Sequence, residues 1–346
     1  METFTPATQI TNLYYSTIHS ETVVSILKPS ENLDIFLTLS IDKKVMIWDT
    51  TYKLPDNGLC DDAAPTKLIL LKKNNKLLVP KWNNHFAIYE VSSLKGDMFL
   101  PLYYYGHSSW VLHAVELDNK DKFATCSRDK TIKIWNFITN DCEITFDGHT
   151  DIVNYLIPLE NNGLLSCSSD GTIKEWDTVS YKCLNSITDG TLPVFQIEKL
   201  DNDIIISRSE SNTLNIWNYK TSLLKQKFSS HKTNVICLKI LMDKKFASGS
   251  YDHTIKIYDY SKDEYKEEGT LEGHTFTVYC IEQMKNSNII SGSGDFSIKL
   301  WDIKTFTCLA TVTEHNNYVV SLCIIDEDKF ASGSYDCKVI VWKVSN

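Results

Sequence analysis

Hydrophobic and polar residues alternate over short stretches of this chain, as in FASGSYDHTIKIYD from Phe246 to Asp259. Alternation with a period of two is typical of β-strands that have one buried face. Two such runs flank a tight turn that contains Asp252, and Asp favours turns because its side chain bonds the nearby backbone. Two further runs, Asn234 to Leu241 and Ser222 to Phe228, precede this hairpin. The pattern therefore predicts units of four antiparallel strands.

The same unit recurs along the whole chain, because eight short segments each end in a similar aromatic motif. Consecutive aromatic residues in these motifs are 41, 46, 41, 41, 41, 43 and 41 residues apart. A nearly constant period of this length is typical of repeat architectures. The marker residues are Trp48, Tyr89, Trp135, Trp176, Trp217, Tyr258, Trp301 and Trp342.

Within the period the motifs stand in one order: GH or a variant, a hydrophobic strand, the pattern SGSxDxTIKI and the pair WD. This order resembles that of the WD40 repeat family. The resemblance covers essentially the whole chain. It implies an all-β fold, a single β-propeller domain over residues 1–346 with four-stranded blades around a central channel. Eight units predict eight blades. Seven remains the alternative, because propellers of this family most often have seven and the second unit here is degenerate.

The two chain ends are expected to complete one blade together. After Trp342 only Lys343 to Asn346 remain, so the last unit lacks its own outer strand. The segment Thr11 to Thr17 precedes His19 as the outer strands precede the other histidines. Unclosed sheets would leave edges and apolar faces exposed. We therefore predict a propeller closed by its N-terminal strand.

Six units contain a His, a Ser or Thr, an Asp and an aromatic residue, which are also the parts of a nucleophilic hydrolase. In each set the hydroxyl lies four residues before the Asp and the aromatic residue six after it. Six near-identical sets would mean six active sites, whereas the spacing resembles the structural hydrogen-bond tetrad of WD40 repeats. We predict structural tetrads and no catalytic residue. The principal sets are His107, Thr125, Asp129, Trp135; His149, Ser166, Asp170, Trp176; His274, Ser291, Asp295, Trp301; and His315, Ser332, Asp336, Trp342.

The fifth unit departs from this pattern. Asp189 lies near the His position, with Ile206 taken as the hydroxyl position and Glu210 as the Asp position. The sequence therefore predicts that no tetrad assembles in this unit.

No other motif indicates an enzyme, a cofactor or a metal. The chain has no Gly-rich phosphate loop leading into a helix and no HExxH motif. Seven of its ten cysteines recur at corresponding positions of the repeat, as Cys126 and Cys167 do. We interpret them as small reduced thiols, not as disulfides or metal ligands.

Charge narrows the class of partner. The chain has 35 Lys and Arg against 44 Asp and Glu, a net charge of -9, so nucleic acid is not the expected partner. Arg128 and Arg208 are the only arginines, which argues against recognition of phosphopeptides. No signal-peptide pattern precedes Lys28, and apolar stretches such as Tyr318 to Ile325 are about half the ~20 residues that span a bilayer. We expect no membrane span and a cytoplasmic protein, with the nucleus left open.

The resemblance implies a top face where partners dock, on the residue before the turn Asp and on residues three and five after the His. In this chain those positions are unusually aromatic, and large rings with polar tips are typical binding anchors. The alternative is that several of these rings pack into the channel or onto adjacent blades. The predicted partner-binding residues are Trp82, Trp110, Leu112, Arg128, Phe195, Tyr251, Tyr279, Tyr318 and Tyr335.

These observations favour a non-enzymatic scaffold or adaptor that binds a protein or peptide within a multiprotein complex. One alternative is the substrate-recognition subunit of a ubiquitin ligase. The chain has no room for an F-box domain, so a separate adaptor would be needed. The alternative from another class is a hydrolase that uses one exposed Ser/His/Asp set.

Overall fold

A computed structural model describes residues 8–30, 33, 35–49, 67–80, 84–91, 101–190, 192–261 and 264–345, and the backbone of 59–60. Within these ranges the chain forms thirty-two β-strands and no α-helix. The strands make eight antiparallel sheets of four strands each, numbered here as blades 1 to 8 in chain order. The prediction of an all-β propeller with eight four-stranded blades is confirmed, and the seven-bladed alternative is wrong.

The chain divides into two compact units, Met1–Asp61 with Ile236–Asn346 (the first unit) and Asp62–Val235 (the second unit). The prediction of a single domain stays a prediction. The first unit contains blades 1, 6, 7 and 8, apart from Val235 at the start of blade 6. Its strands are β1 (Gln9–Ser16) in blade 8; β2 (Val23–Leu27), β3 (Ile35–Ser40), β4 (Lys44–Asp49) and β5 (Leu59–Cys60) in blade 1; β22 (Val235–Leu241), β23 (Lys245–Ser250), β24 (Ile255–Asp259) and β25 (Lys266–Leu271) in blade 6; β26 (Val278–Gln283), β27 (Ile289–Ser293), β28 (Ile298–Asp302) and β29 (Thr307–Val312) in blade 7; and β30 (Val319–Ile324), β31 (Lys329–Ser334) and β32 (Val339–Ser345) in blade 8.

The second unit contains blades 2 to 5. Its strands are β6 (Ile69–Leu71), β7 (Lys76–Pro80), β8 (His85–Glu90) and β9 (Leu102–Tyr105) in blade 2; β10 (Val111–Glu116), β11 (Lys122–Ser127), β12 (Ile132–Asn136) and β13 (Cys142–Phe146) in blade 3; β14 (Val153–Pro158), β15 (Gly163–Ser168), β16 (Thr172–Asp177) and β17 (Lys182–Thr188) in blade 4; and β18 (Val194–Asp201), β19 (Ile204–Ser209), β20 (Leu214–Asn218) and β21 (Leu223–Phe228) in blade 5.

Glycines in the second strands of blades 6 and 7 let each of these blades pack closely against the next one. A Cβ atom added at Gly249 would lie 2.8 Å from Val278 Cγ1 of blade 7, and one at Gly292 would lie 2.7 Å from Val319 Cγ1 of blade 8. Real Cβ atoms essentially never come so close. The SGS segments of the repeat therefore serve packing, and blades 6 and 7 share an apolar core that includes Trp301.

The N-terminal strand completes the last blade. β1 pairs antiparallel with β32, in a register that runs from Gln9 opposite Ser345 to Ser16 opposite Val339. Blade 8 thus takes three strands from the C-terminal end of the chain and its outer strand from the N-terminal end. Closure by the N-terminal strand is confirmed. No helix in the described part of the chain is long and apolar enough to cross a membrane.

Candidate partner-binding site

A buried hydrogen-bonded tetrad lies in blades 1, 3, 4, 7 and 8, and blade 7 illustrates it. Trp301 Nε1 donates to Ser291 Oγ at 2.8 Å, and His274 Nε2 bonds the same oxygen at 2.7 Å. The other ring nitrogen, His274 Nδ1, lies 2.8 Å from Asp295 Oδ2. The same three bonds join His19, Thr38, Asp42, Trp48; His107, Thr125, Asp129, Trp135; His149, Ser166, Asp170, Trp176; and His315, Ser332, Asp336, Trp342.

The aspartate of each tetrad also fixes the loops around it. Asp295 Oδ1 accepts bonds from the backbone N–H of Ser297 at 2.9 Å and from its hydroxyl at 2.6 Å. Asp295 Oδ2 accepts the backbone N–H of Thr275 at 2.9 Å. One carboxylate therefore ties the β27–β28 turn to the loop that follows His274. The equivalent loops of blades 3 and 8 carry four of the residues predicted to bind a partner: Trp110, Arg128, Tyr318 and Tyr335.

The tetrads are satisfied internally and shielded from solvent. Trp301 and Ser291 have no exposed surface, and the Ser291 hydroxyl oxygen already accepts the indole N–H. A nucleophile needs a substrate within reach of its oxygen. This geometry supplies hydrogen-bond partners for buried polar groups, as a structural network requires.

In each His–Asp pair, burial favours the neutral form of the histidine, and hydrogen bonding favours the ionised form of the aspartate. Burial lowers the pKa of His274, and the hydrogen bond that the ring donates to Asp295 offsets this only in part. Burial by itself would raise the pKa of Asp295, but hydrogen bonds from His274 and Ser297 outweigh it and hold the pKa well below its usual range. The same balance lowers the pKa of Asp170 and that of Asp336 to about 2. At neutral pH the aspartates are therefore ionised.

Blade 5 contains a different network, and the sequence interpretation placed its hydroxyl wrongly. The residue ten positions before Trp217 is Ser207, not Ile206, and Trp217 Nε1 lies 3.2 Å from Ser207 Oγ. Asp189 takes the place of the imidazole, since its carboxylate accepts bonds from Ser207 at 2.8 Å and from Trp217 at 3.0 Å. Ser211 stands where the other blades have the turn Asp, not Glu210. A carboxylate, a hydroxyl and an indole thus replace the usual tetrad.

The four predicted tyrosines of the first unit lie together. Tyr318 contacts Tyr279 and Tyr335, with ring centroids 5.7 and 5.6 Å apart. Burial raises the pKa of Tyr279, and the nearby hydroxyls of Tyr251 and Tyr318 raise it further. Tyr251 is 48% exposed and Tyr335 is 46% exposed, while Tyr279 and Tyr318 are partly buried.

Two phenylalanines that the sequence analysis missed extend this group. Phe276 and Phe296 contact Tyr318, with ring centroids 5.7 and 5.9 Å apart, and they are 42% and 39% exposed. The available signal was their position, because one lies two residues after His274 and the other directly follows the turn Asp295. We call the six rings the aromatic patch: Tyr251, Phe276, Tyr279, Phe296, Tyr318 and Tyr335.

Backbone contacts hold the patch in place. Tyr335 N donates to Tyr318 O at 3.0 Å, and Gly294 N donates to Thr277 O at 2.9 Å. A side chain at Gly294 would meet Phe276, because an added Cβ would lie 2.3 Å from Phe276 Cδ1. Glycine at this position therefore gives Phe276 its room on the turn.

Three predicted residues of the second unit lie in two separate cation–aromatic pairs, the second of which includes Arg208, a residue that was not predicted. The Arg128 guanidinium lies over the Trp110 ring at 4.3 Å from its centroid, and that of Arg208 lies over Phe195 at 5.4 Å. Leu112 is partly buried and packs against the core of blades 3 and 4, so packing accounts for an apolar residue at this position without a ligand. Trp82 lies outside the described residues.

Metal and disulfide chemistry find no support in the described residues. Among them, no group of three or more His, Cys, Asp or Glu side chains is arranged to hold a metal ion. The nine cysteines whose side chains are described are free thiols.

Comparison with known proteins gives the family. The WD40 family, described as WD domain, G-beta repeat, matches residues 100–136, 140–177, 222–259, 265–302 and 306–343, together more than half of the chain. The crystal structure of the computationally designed Ika8 protein is similar in fold, with a TM-score of 0.79. It is 24% identical in sequence, and the match covers 94% of this chain and 97% of that one. Propellers of this kind are typical protein-interaction scaffolds and are generally not enzymes. The chain belongs to the WD40 repeat family.

Proposed function

We propose that this protein is a non-enzymatic adaptor that binds a protein or peptide through the aromatic patch. One observation carries the proposal: five aromatic side chains of blades 7 and 8 are joined by ring contacts through Tyr318, and Tyr251 of blade 6 lies near enough to Tyr279 to raise its pKa. Four of these six side chains are 39% to 48% exposed. A clustered exposed apolar surface of this kind is typical of interaction sites. Aromatic residues with polar tips are also the commonest anchors of interfaces.

The construction of the patch favours binding with little loss of freedom. Tyr318 already contacts four other rings, so its rotamer is restricted before a partner arrives. The turn aspartates of blades 7 and 8 fix the loops on which the rings stand. A preorganised surface loses less side-chain entropy on association than a flexible one.

The rival functions rest on weaker observations. A hydrolase would need one of the tetrad hydroxyls to meet a substrate, and those of Ser166, Ser291 and Ser332 are fully buried. A substrate-recognition role in a ubiquitin ligase would use the same patch and require a separate adaptor. We place the adaptor in the cytoplasm on composition alone, and fractionation of cells tests this.

The proposal is tested by identifying the partner and then removing the patch. Proteins captured from native cytosol by the wild-type chain are compared with those captured by Tyr318→Ala/Tyr335→Ala, and candidates are purified and titrated. Tyr105→Ala is the matched control, because Tyr105 is a 69% exposed tyrosine on strand β9 of blade 2. We expect the double variant to lose the partner and the control to keep it. A folded double variant that binds like wild type contradicts the proposal.

A further inference from the structure

Blades 3 and 8 use two equivalent positions in different ways. Arg128 N donates to Trp110 O at 2.9 Å in blade 3, and Tyr335 N donates to Tyr318 O at 3.0 Å in blade 8. Trp110 and Tyr318 also both lie three residues after the tetrad histidine of their blade. In blade 3 the guanidinium lies over the indole at 4.3 Å. In blade 8 a second ring, that of Tyr335, stands in the arginine's position.

The arginine–aromatic pairs of this chain show that a ring of this kind binds a guanidinium group. It has only two arginines, and both lie over an aromatic ring of the second unit, Arg128 over Trp110 and Arg208 over Phe195. A guanidinium is planar and weakly hydrated, so it stacks on the negative face of an aromatic ring. The patch presents comparable rings in the first unit.

Charge around the patch also suits a cation. Asp295 and Asp336 directly adjoin Phe296 and Tyr335 in sequence, and hydrogen bonds hold the pKa of both carboxyls well below the usual range. In blade 3 the equivalent Asp129 is flanked by Arg128 and Lys130. The residues flanking the turn aspartates of blades 6 to 8 are Tyr251 and His253, Gly294 and Phe296, and Tyr335 and Cys337.

Two basic groups of the chain stand near these turns. Lys338 is the only Lys or Arg within two residues of Asp252, Asp295 or Asp336 in the sequence. The His253 ring stacks on Phe276 with centroids 5.9 Å apart. The turns that carry the patch rings therefore hold buried, ionised aspartates, and Lys338 is the one lysine within two residues of them in the sequence.

We propose that the aromatic patch binds an arginine side chain of the partner, with the guanidinium stacked on the rings around Tyr318. This inference rests on the proposed function and names the group that the patch recognises. The arginine stacks on a ring face of the patch as Arg128 stacks on Trp110, while Tyr335 keeps the position equivalent to Arg128. The net charge of -9 favours the approach of a basic segment.

The direct test uses three short probes that differ in one side chain. Acetyl-Gly-Arg-Gly-amide, its citrulline analogue and its lysine analogue are titrated against protein carrying ¹³C-labelled tyrosine rings. Citrulline keeps the shape of arginine and lacks its charge. We expect the arginine peptide to shift the Tyr279, Tyr318 and Tyr335 resonances and to bind about tenfold more tightly than citrulline, with lysine between them. Equal binding of arginine and citrulline, tighter binding of lysine, or no shift with arginine up to about 20 mM overturns the assignment.

A substitution in the patch itself tests the same proposal. Tyr335→Arg places a guanidinium beside Tyr318 as in blade 3, at a position exposed enough to accept it. We expect this variant to fold and to lose most of its binding of the arginine peptide, because its own side chain occupies the site. Tyr335→Gln is the matched control and should retain more of the binding. Equal binding by the two folded variants contradicts the proposal.

The inference and the proposed function can fail separately. If the patch variant Tyr318→Ala/Tyr335→Ala loses the purified partner while arginine and citrulline peptides bind alike, the patch is a binding surface and the arginine assignment is wrong. If the double variant keeps the partner, the proposed function itself is wrong.

Discussion

The tetrad of blade 7 and the aromatic patch are built from neighbouring residues with opposite exposure. His274 and Asp295 are held in the buried network, whereas Phe276 and Phe296, two residues and one residue further along, stand partly in solvent. Blade 8 repeats this arrangement with Asp336 and Tyr335. One loop therefore contributes a satisfied polar group to the interior and an apolar ring to the surface.

This difference separates stability from recognition. Breaking a buried hydrogen-bond network leaves polar groups without partners and lowers the free energy of unfolding. Removing an exposed ring costs the folded state little, and its cost appears only when a partner covers it. The two regions should therefore respond to mutation in different measurements.

The largest expected effect comes from removing the N-terminal strand. Deletion of residues 1–18 strips β1 from β32 and leaves a bare edge on blade 8, which favours aggregation. We expect insoluble or self-associated protein, or a greatly lowered melting midpoint, by size-exclusion chromatography and thermal melting. A monomeric truncated chain with unchanged melting would show that β1 is dispensable for the fold.

Next in size is the loss of partner binding when single patch tyrosines are truncated. Tyr318→Ala should cost ~2 kcal/mol or more of binding free energy, because Tyr318 contacts the most rings and lies at the centre of the group. Tyr251→Ala, Tyr279→Ala and Tyr335→Ala should cost less. Titration with the purified partner measures this, with Ser169→Ala as control. An unchanged affinity in all four folded variants would move the site elsewhere.

A smaller effect is expected when a tetrad loses its indole donor. Trp301→Phe removes the bond to Ser291 and should lower the free energy of unfolding by ~1 to 3 kcal/mol. Denaturant unfolding measures it, and Trp110→Phe is a control at an indole outside the tetrads. If Trp301→Phe unfolds at the same denaturant concentration as wild type, the tetrad contributes nothing measurable to stability.

The smallest effect is a pH dependence of stability. Burial lowers the folded-state pKa of His107, His149 and His274 below the ordinary 6.5, so the unfolded chain binds more protons below that pH. Stability should be complete above about pH 6.5 and fall as the pH drops toward the lowered values. It should fall again below about pH 4, where the unfolded aspartates take up protons but Asp170, with its pKa of about 2, does not.

This pH dependence is measured from the urea concentration at the midpoint of unfolding, at several pH values. His274→Gln should flatten the decline just below pH 6.5, because it removes one of the titrating groups. A midpoint that rises on acidification would reverse the predicted sign.

The sequence predicted the repeat and the closing strand from spacing, and the composition of the tetrads from the resemblance of that spacing to WD40 repeats. The error in blade 5 came from counting: Ser207 lies ten residues before Trp217 and was passed over for Ile206. Phe276 and Phe296 were missed because the transferred family positions do not include theirs. The stacking of Arg128 on Trp110 depends on side-chain direction, which spacing does not give.

The central claim is that the aromatic patch binds and the tetrads only support the fold. The most direct measurement is the dissociation constant of the purified partner for Tyr318→Ala/Tyr335→Ala and for Trp301→Phe, at a temperature where both variants are folded. The melting midpoint of each variant is measured alongside. The account predicts that the patch variant, folded at the assay temperature, loses affinity, while the tetrad variant melts earlier than wild type and keeps its affinity. A patch variant with wild-type affinity, or a folded tetrad variant that alone loses the partner, would contradict it.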